Sequence, residues 1–188
     1  LYGPLNIYKT REKGSPKATN SLVMGPWSHG DWSRERGFQA INHIYFGDSI
    51  ATFYQKNIEA KFFNHFLKGA GDGKTGLPEA YMFDTGTKKW QQFDQWPAAN
   101  AVKKTYSLNL RGGLSEVSTM EYGAREFISD PFKPVPYTSD ITTTIGFTPF
   151  NYMSEDQRFA GSRPDVLVYQ TEVLTEDVTL AGEILAKL

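Results

Sequence analysis

A glycine-rich segment at residues 69–76 divides the 188-residue chain into two parts with different hydrophobic patterns. Before this segment, apolar side chains recur at helical spacing, whereas after it short runs typical of β-strands alternate with turn residues. Glycine-rich connections are flexible, and domain boundaries usually fall in such segments. The sequence therefore predicts two domains, residues 1–76 and residues 77–188.

The first part begins with elements of an α/β sheet. Pro4 suits the first turn of a helix and Gly14 its C-terminal end, so we expect a helix over residues 4–13. The apolar run at residues 21–24 is bounded by turn residues, which is typical of a strand buried on both faces. The irregular segment that follows, residues 25–48, has a length at which loops are usually functional or carry short structure of their own.

A second helix is predicted between this segment and Gly69. Its apolar side chains recur at spacings of three and four residues, and either Asp48 or Ser49 can cap its N-terminus. Aromatic residues at this spacing usually pack one face of a helix, so we expect a packed stripe and not a cofactor site. The stripe consists of Ile50, Phe53, Tyr54, Ile58, Phe62 and Phe66.

The second part predicts an all-β module. Two segments, residues 84–87 and 111–113, carry residues that favour hairpin turns. A long irregular segment at residues 130–164 would cross between sheets or cover an edge, as in a β-sandwich or jelly roll. The candidate strands are residues 79–84, 90–93, 104–110, 125–129, 166–171 and 178–185. The predicted fold class is therefore α+β.

Charge and composition exclude several functions. Twenty Lys and Arg residues against 21 Asp and Glu give a net charge of -1, which disfavours a nucleic acid or an anionic membrane as partner. No apolar run approaches the ~20 residues of a membrane helix. The chain has no cysteine, and its three histidines are not spaced as metal ligands. We therefore expect no disulfide, no metal ion and no cofactor.

His29 is the strongest candidate for chemistry. It follows the predicted strand at residues 21–24, and active sites of open α/β sheets collect at the carboxyl ends of strands. A histidine placed there can serve as a general base or acid. The other two histidines carry less weight, because His65 lies among phenylalanines of the predicted helix as a packed or surface residue, and His43 has no assigned place.

Side chains around His29 have two interpretations each. Trp27 either packs at the end of the strand or shapes a substrate pocket, and neither alternative is favoured. Trp32, Arg34 and Arg36 either line a cleft or face solvent, and solvent is favoured because arginine is mostly exposed in proteins.

Two short motifs resemble functional loops. Gly73-Lys74-Thr75 resembles the end of a phosphate-binding loop, but position 68, where the first glycine is required, is Lys68, and a helix precedes it. Residues 47–51 resemble a hydrolase nucleophile elbow centred on Ser49. However, the nucleophile of an α/β-hydrolase precedes its histidine, whereas Ser49 follows His29, so helix capping is the favoured interpretation.

Residues 22–30, with the motif Gly-Pro-Trp-Ser-His ending at His29, resemble the catalytic-histidine segment of a known family. The family is that of the α/β-hydrolases related to X-Pro dipeptidyl-peptidase, with cocaine esterase, α-amino acid ester hydrolase and glutaryl-7-aminocephalosporanic acid acylase. Residues 156–159, 163–167 and 171–178 resemble the start of its C-terminal jelly-roll domain. The resemblance implies the last elements of an α/β-hydrolase sheet followed by part of a jelly roll.

The same resemblance implies a mechanism and a substrate class. By motif match, His29 is the general base that accepts a proton from a serine nucleophile, and an aspartate orients it. The substrate would be a small ester, an amide or a short peptide. The alternative from a different class is a non-catalytic β-sandwich module for binding or assembly, which the abundant Tyr and Trp also suit.

Both ends of the sequence suggest a piece of a longer polypeptide. Residue 1 is Leu, no signal peptide is recognisable, and residues 178–188 still have the pattern of a strand. In the family, the serine and the aspartate precede this region, so we expect the chain to be inactive by itself. We also expect self-association, because an incomplete sandwich exposes strand edges. The compartment stays open, with the resemblance favouring a periplasmic or secreted protein.

Overall fold

The computed structural model describes residues 2–34, 37–117, 122–140 and 154–188. These residues form two compact units, Leu1–Ala101 together with Leu180–Leu188, and Val102–Thr179. The fold is mixed α+β with few helices and small sheets, which confirms the predicted class at this level. The predicted boundary after residue 76 stays a prediction.

The first unit contains most of the regular structure. Its helices are α1 (Tyr2–Gly14), α2 (Ile50–Tyr54) and α3 (Ala60–Lys68). Its strands are β1 (Leu22–Met24), β2 (Phe38–Ile41), β3 (Ile44–Asp48), β4 (Ala80–Asp84) and β5 (Lys89–Phe93). The second unit has the short strands β6 (Ser107–Leu108) and β7 (Leu114–Ser115) and a 3₁₀ turn at Gln157–Ser162.

The central sheet of the first unit has the strand order β1-β4-β5. Strand β1 pairs with β4 in parallel, and β4 pairs with β5 antiparallel. The sheet therefore joins strands from both sides of the glycine-rich segment at residues 69–76. The predicted strands at residues 79–84 and 90–93 are confirmed. So is the hairpin turn between them, where Asp84 Oδ1 accepts hydrogen bonds from the backbone N–H groups of Gly86 and Thr87.

Helix α1 covers one face of this sheet. Tyr8 on α1 packs with Leu22 of β1 and with Ala80 and Met82 of β4, and these four residues form a buried core. Leu22 pairs with Ala80 in the parallel register, so the alternation of side chains along both strands brings their apolar residues to the same face. Leu5 adds to the core from the same helix.

Aromatic rings cover the opposite face of the sheet. Trp90 of β5 contacts Tyr81 and Phe83 of β4, each with ring centroids 5.4 Å apart, because alternate residues of a strand point to the same face. Phe53 of α2 stacks on Trp90 at 5.8 Å. Helix α2 is thus attached to the sheet by ring contacts, and the sheet lies between α1 and α2.

Strand β1 differs from its prediction in burial. Leu22 is buried, but Val23 and Met24 are only partly buried. Among the described residues β1 has a strand neighbour on one side only, β4, so it is an edge strand in this sheet. An apolar run of three residues identifies a strand without revealing how many neighbours the strand has.

The segment at residues 25–48 carries short structure, as expected from its length. A 3₁₀ turn at Asp31–Ser33 is followed by the β2–β3 hairpin, whose strands pair antiparallel. Ser49, which ends the hairpin and precedes α2, has a left-handed backbone with φ of +53° and makes no capping hydrogen bond with its side chain. Ser49 therefore occupies the predicted N-cap position of α2 but does not cap it through its side chain, and Asp48 accepts a hydrogen bond from the Tyr45 hydroxyl at 2.6 Å.

The long helix is interrupted by a π turn at Gln55–Glu59, which the sequence pattern does not reveal. The packed stripe is confirmed at Ile50 and Ile58, which are buried. It is wrong at Phe66, which is 47% exposed. Gly69 ends α3 in a left-handed conformation with φ of +61°, as predicted.

The second unit has less regular structure than predicted. Of residues 104–110, only Ser107–Leu108 form a strand, which pairs with Leu114–Ser115 across the predicted turn. Residues 125–129, 166–171 and 178–185 form no strand, although an isolated bridge joins Gly113 to Gln170. Strand propensity measures how well side chains fit a paired surface, and apart from the bridge at Gln170 these segments lack a paired neighbour within the described chain. The predicted irregular segment lies partly outside the described residues, at 141–153.

Candidate functional site

The loop after β1, residues 25–34, is the candidate site and is called the His29 loop below. It begins at the carboxyl end of a strand paired in parallel, which is the edge where sites of α/β sheets collect. Gly25 lies against the ring of Trp27, and a Cβ atom at this position would come within 2.5 Å of it. A glycine is therefore required where the loop leaves the strand.

Trp27 lies within the aromatic rings above the sheet. Its ring centroid is 5.0 Å from that of Tyr54 and 5.8 Å from that of Trp90. Within the described residues, the buried Nε1 atoms of Trp27 and Trp90 have no hydrogen-bond partner. These contacts agree with the packing interpretation of Trp27, and its role in substrate binding stays a prediction.

Burial raises the pKa of the Tyr54 hydroxyl above its usual value, and the negative charge of Glu59 adds to this effect. The hydroxyl therefore keeps its proton at neutral pH. Trp27 accordingly packs against neutral aromatic rings.

Asp31 is the centre of the His29 loop. Its side chain is only 3% exposed, and Oδ2 accepts hydrogen bonds from both the backbone N–H and the hydroxyl of Ser28. The Asp31 N–H in turn donates to the carbonyl oxygen of Ser28 at 3.2 Å. Ser28 and Asp31 thus close a turn around His29 and Gly30, and Gly30 supplies the left-handed conformation with φ of +77°.

Two glutamines fasten this turn to neighbouring elements. Gln39 of β2 is buried and donates from Nε2 to Asp31 Oδ2 at 3.4 Å. Gln55, in the π turn, donates from Nε2 to the carbonyl oxygen of Trp32 at 2.8 Å. π turns occur frequently at functional sites, and this one contacts the His29 loop directly.

The imidazole of His29 is exposed above this fixed turn. Its ring lies edge-on to that of Trp32, with centroids 6.5 Å apart. An exposed imidazole on a fixed backbone can exchange a proton with a group that approaches from outside the loop. The geometry therefore suits a general base, a role that stays a prediction at this point.

Trp32 and Arg34, two neighbours of His29, are largely exposed, in agreement with the interpretation that they face solvent. Trp32 is 40% exposed, and the guanidinium of Arg34 lies 4.0 Å from Asp31 Oδ1. Arg36 lies outside the described residues.

The other two histidines lie on surface elements. His43 is exposed in the β2–β3 turn. His65 lies on α3 against Phe66, and its Nδ1 is 3.3 Å from the carbonyl oxygen of Ala70. Within the described residues, no group of three or more His, Asp or Glu side chains could hold a metal ion.

Sequence reasoning identified His29 and Trp27 but not Asp31, Gln39 or Gln55. One signal was available for Asp31, because Ser28-His29-Gly30-Asp31 fits the spacing of a hydroxyl residue followed three positions later by an acid. The two glutamines carried no comparable signal in the sequence. Gln39 binds a side chain eight residues away, and Gln55 binds a main-chain carbonyl oxygen, which no sequence pattern marks.

Charged side chains also organise the second unit around residues 156–165. Asp156 accepts a hydrogen bond from the N–H of Arg158 at 3.0 Å and caps the 3₁₀ turn. Arg163 binds Asp165 through two hydrogen bonds of 2.8 and 2.7 Å. An open groove of about 750 Å³ is lined by Asp165 of this pair and by Arg125, Glu126, Phe127, Ile128 and Pro164.

None of the helices in the described parts of the chain is long and apolar enough to cross a bilayer.

Comparison with known proteins identifies relatives for both parts of the chain. Residues 72–188 match the family model of the X-Pro dipeptidyl-peptidase C-terminal non-catalytic domain. Over 176 residues the chain is 30% identical to cocaine esterase from Rhodococcus sp. (strain MB1 Bresler), an alignment that covers 89% of this chain and 30% of the esterase. This alignment extends well beyond the residues matched by the family model.

Two solved structures are similar in fold. An aminopeptidase from a marine sediment Thaumarchaeota archaeon superposes with a TM-score of 0.81 at 30% identity, over 93% of this chain and 29% of its own. An α-amino acid ester hydrolase superposes with a TM-score of 0.75 at 29% identity, over 96% of this chain and 30% of its own.

The chain spans about 30% of the length of cocaine esterase. The resemblance found in the motifs around His29 and Asp156 is confirmed by the family match and by these relatives, which are esterases and peptidases. The chain belongs to the X-Pro dipeptidyl-peptidase and esterase family of hydrolases, and its residues 72–188 are the C-terminal non-catalytic domain of that family.

Proposed function

We propose that this chain is part of a serine hydrolase that cleaves ester or amide bonds through an acyl-enzyme, with His29 as the general base. The observation that carries the proposal is the exposed imidazole of His29 on a fixed turn at the carboxyl end of β1. A serine hydroxyl is a poor nucleophile until an imidazole within hydrogen-bond reach accepts its proton. The exposed ring leaves His29 accessible to such a hydroxyl.

The serine and the aspartate would come from other parts of a longer protein. Ser28 does not fit the role of nucleophile, because its hydroxyl is held by Asp31. Ser49 lies in a left-handed turn between a strand and a helix, as a nucleophile elbow requires, but the chain order of the family contradicts this role. A chain that spans about 30% of cocaine esterase leaves ample length for both residues.

The proposed architecture has two parts. Residues 1–76 supply the last elements of an α/β-hydrolase sheet, and residues 77–188 begin a jelly roll. Strand β1 is paired in parallel, and α1 and α2 lie on opposite faces of its sheet, which supports the first assignment, while its partner strand β4 lies after residue 76. The match of residues 72–188 to a C-terminal non-catalytic domain supports the second.

The proposed substrate is a small ester, an amide or a short peptide. This range follows from the relatives, which are a cocaine esterase, an aminopeptidase and an α-amino acid ester hydrolase. Trp27 is proposed to border the acyl-binding side of the site, because its ring is fixed two residues before His29.

A pair of histidine variants tests the proposed role. In the full-length protein, His29→Ala should lower ester turnover by about 10³-fold or more, as loss of a triad member does. The matched control is His43→Ala, which removes an exposed histidine from the β2–β3 turn and should leave turnover unchanged. Undiminished turnover in His29→Ala would refute the assignment.

The second candidate function is a non-catalytic binding or assembly module. It is favoured by one specific observation, the match of residues 72–188 to a domain described as non-catalytic. A fluorophosphonate probe separates the two candidates, because it labels the activated serine of a full-length hydrolase and leaves a binding protein unlabelled. Failure of the full-length protein to react would favour the binding module.

A further inference from the structure

We infer that Asp31 is a positioning residue, which fixes the backbone at His29 and thereby sets the position from which the imidazole acts. The inference rests on the proposed role of His29. It adds a residue that is neither the nucleophile, nor the base, nor the aspartate that orients the imidazole. The basis is the closed turn between Ser28 and Asp31.

The turn restrains His29 from both sides. The backbone N–H and the hydroxyl of Ser28 both donate to Asp31 Oδ2, and the Asp31 N–H returns a bond to the Ser28 carbonyl oxygen. Only His29 and Gly30 lie between the two residues, so the φ and ψ angles of His29 have little freedom. A side chain whose Cα and Cβ are fixed can vary only through its own χ angles.

Burial makes this arrangement depend on the Asp31 carboxylate. The side chain is 3% exposed, and Gln39 of β2 donates to the same oxygen that Ser28 contacts. A buried carboxylate that accepts several hydrogen bonds is expensive to remove, because each donor then loses its partner. The turn is therefore tied to the β2–β3 hairpin through one oxygen atom.

Catalysis is sensitive to such positioning. A displacement of about 1 Å at a catalytic group can lower a rate by about 10²-fold, even when the altered residue never touches the substrate. Asp31 affects His29 through the backbone of residues 28–31, whereas Trp27, which is proposed to border the acyl-binding side, lies outside this turn. Loss of Asp31 should therefore lower kcat with little change in KM.

The test uses variants of the full-length protein that carries this chain. Asp31→Ala should lower kcat for an ester substrate by about 10- to 10²-fold, with KM within about twofold. Asp31→Asn keeps an oxygen that can accept from Ser28, and it should restore kcat to within about fivefold of the wild type. The matched control is Asp130→Ala, because Asp130 also accepts a backbone N–H, that of Phe132 at 2.9 Å, but lies in the second unit. This control should keep its kcat.

A second variant covers the case in which Asp31→Ala does not fold. Ser28→Ala removes only the hydroxyl donor of the turn and leaves the backbone donor and Gln39 in place, and we expect kcat to fall severalfold at unchanged KM. The inference is overturned if Asp31→Ala keeps wild-type kcat while His29→Ala is inactive, or, where Asp31→Ala does not fold, if Ser28→Ala keeps wild-type kcat. It is also overturned if Asp31→Asn is as impaired as Asp31→Ala. An active His29→Ala protein would instead refute the proposed function itself.

Discussion

The hydroxyl of Tyr8 on α1 donates a hydrogen bond to the carboxylate of Glu79, which directly precedes β4. The hydroxyl oxygen of Tyr8 also accepts a hydrogen bond from the backbone N–H of Trp96 at 3.3 Å. One buried side chain thus connects a helix, a strand and the segment after β5. The Tyr8 ring also contributes to the apolar core, so this residue combines packing with polar connection.

Replacing Tyr8 by Phe should destabilise the first unit. The ring and its packing remain, but Glu79 and the Trp96 N–H each lose a partner in a partly buried place. Leaving buried polar groups unpaired costs about 1–3 kcal/mol in the free energy of unfolding. Urea denaturation followed by far-UV circular dichroism measures this change. The control is Tyr45→Phe, which removes a hydroxyl bonded to Asp48 on the exposed surface and should cost much less.

The same tyrosine predicts a dependence of stability on alkaline pH. Burial is the largest cause that raises the pKa of Tyr8 from 10.0 to about 12, and the hydrogen bond to Glu79 is the second. The folded state therefore keeps a proton that the unfolded state releases, and this contribution to stability is complete below pH 10. It is lost as the pH rises from 10 to about 12.

Comparison of two proteins isolates this contribution from other groups that titrate at high pH. The free energy of unfolding of the wild type should fall more steeply between pH 10 and 12 than that of Tyr8→Phe. Equal slopes would show that Tyr8 has the same pKa in the folded and the unfolded state.

Gly25→Ala should disturb the start of the His29 loop. The new Cβ atom would lie 2.5 Å from the Trp27 ring, so the ring or the backbone must move. Overpacking of this kind costs about 1–3 kcal/mol. The shift should be visible in the near-UV circular dichroism of the tryptophans, because Trp27 contacts Trp90. Gly3→Ala is the control, since its Cβ atom would meet nothing within 4 Å.

Gln55→Ala should loosen the His29 loop from the π turn. The variant removes the donor to the Trp32 carbonyl oxygen, and we expect a severalfold loss of ester turnover in the full-length protein. Asn57→Ala is the matched control, because the Asn57 side chain donates to Phe53 O within its own helix. An equal loss in both variants would attribute the effect to the helix and not to the loop.

Self-association of this chain remains a proposal. Several large apolar side chains are exposed in the segments predicted as strands, among them Ile128, Leu180 and Ile184. Burial of such residues against a second copy would remove apolar surface from water. Sedimentation velocity at increasing protein concentration should therefore show species heavier than 21.2 kDa. A folded monomer at all concentrations would contradict the proposal.

The predictions from sequence succeeded where local pattern determines structure. The helix around Tyr8, the β4–β5 hairpin and the glycine that ends α3 each follow from spacing, turn chemistry or backbone freedom within a few residues. The predictions failed where the structure of a segment depends on a residue elsewhere in the fold that pairs with it or binds it. Residues 125–129 have the composition of a strand but lack a paired neighbour among the residues that the structure describes, and Asp48 binds Tyr45 instead of capping α2.

The candidate site shows the same division. His29 could be selected because a motif and a strand end coincide there. The surroundings of His29 could not be assembled in the same way, because Gln39 and Gln55 come from separate elements whose approach depends on the tertiary fold. Asp31 is an intermediate case. Its spacing from Ser28 can be read from the sequence, but its burial is known only from the structure.

The π turn at Gln55–Glu59 lies between α2 and α3 within one helix. A π turn closes its hydrogen bond one residue later than an α-helix does, and one residue corresponds to a rotation of about 100°. Ile50 and Ile58 are buried, whereas Leu67, beyond the turn, is 76% exposed. Deletion of one residue within 55–59 would remove the wider turn and join α2 and α3 as one continuous α-helix. Gln55 would then lose its place in the π turn, from which its side chain donates to the carbonyl oxygen of Trp32.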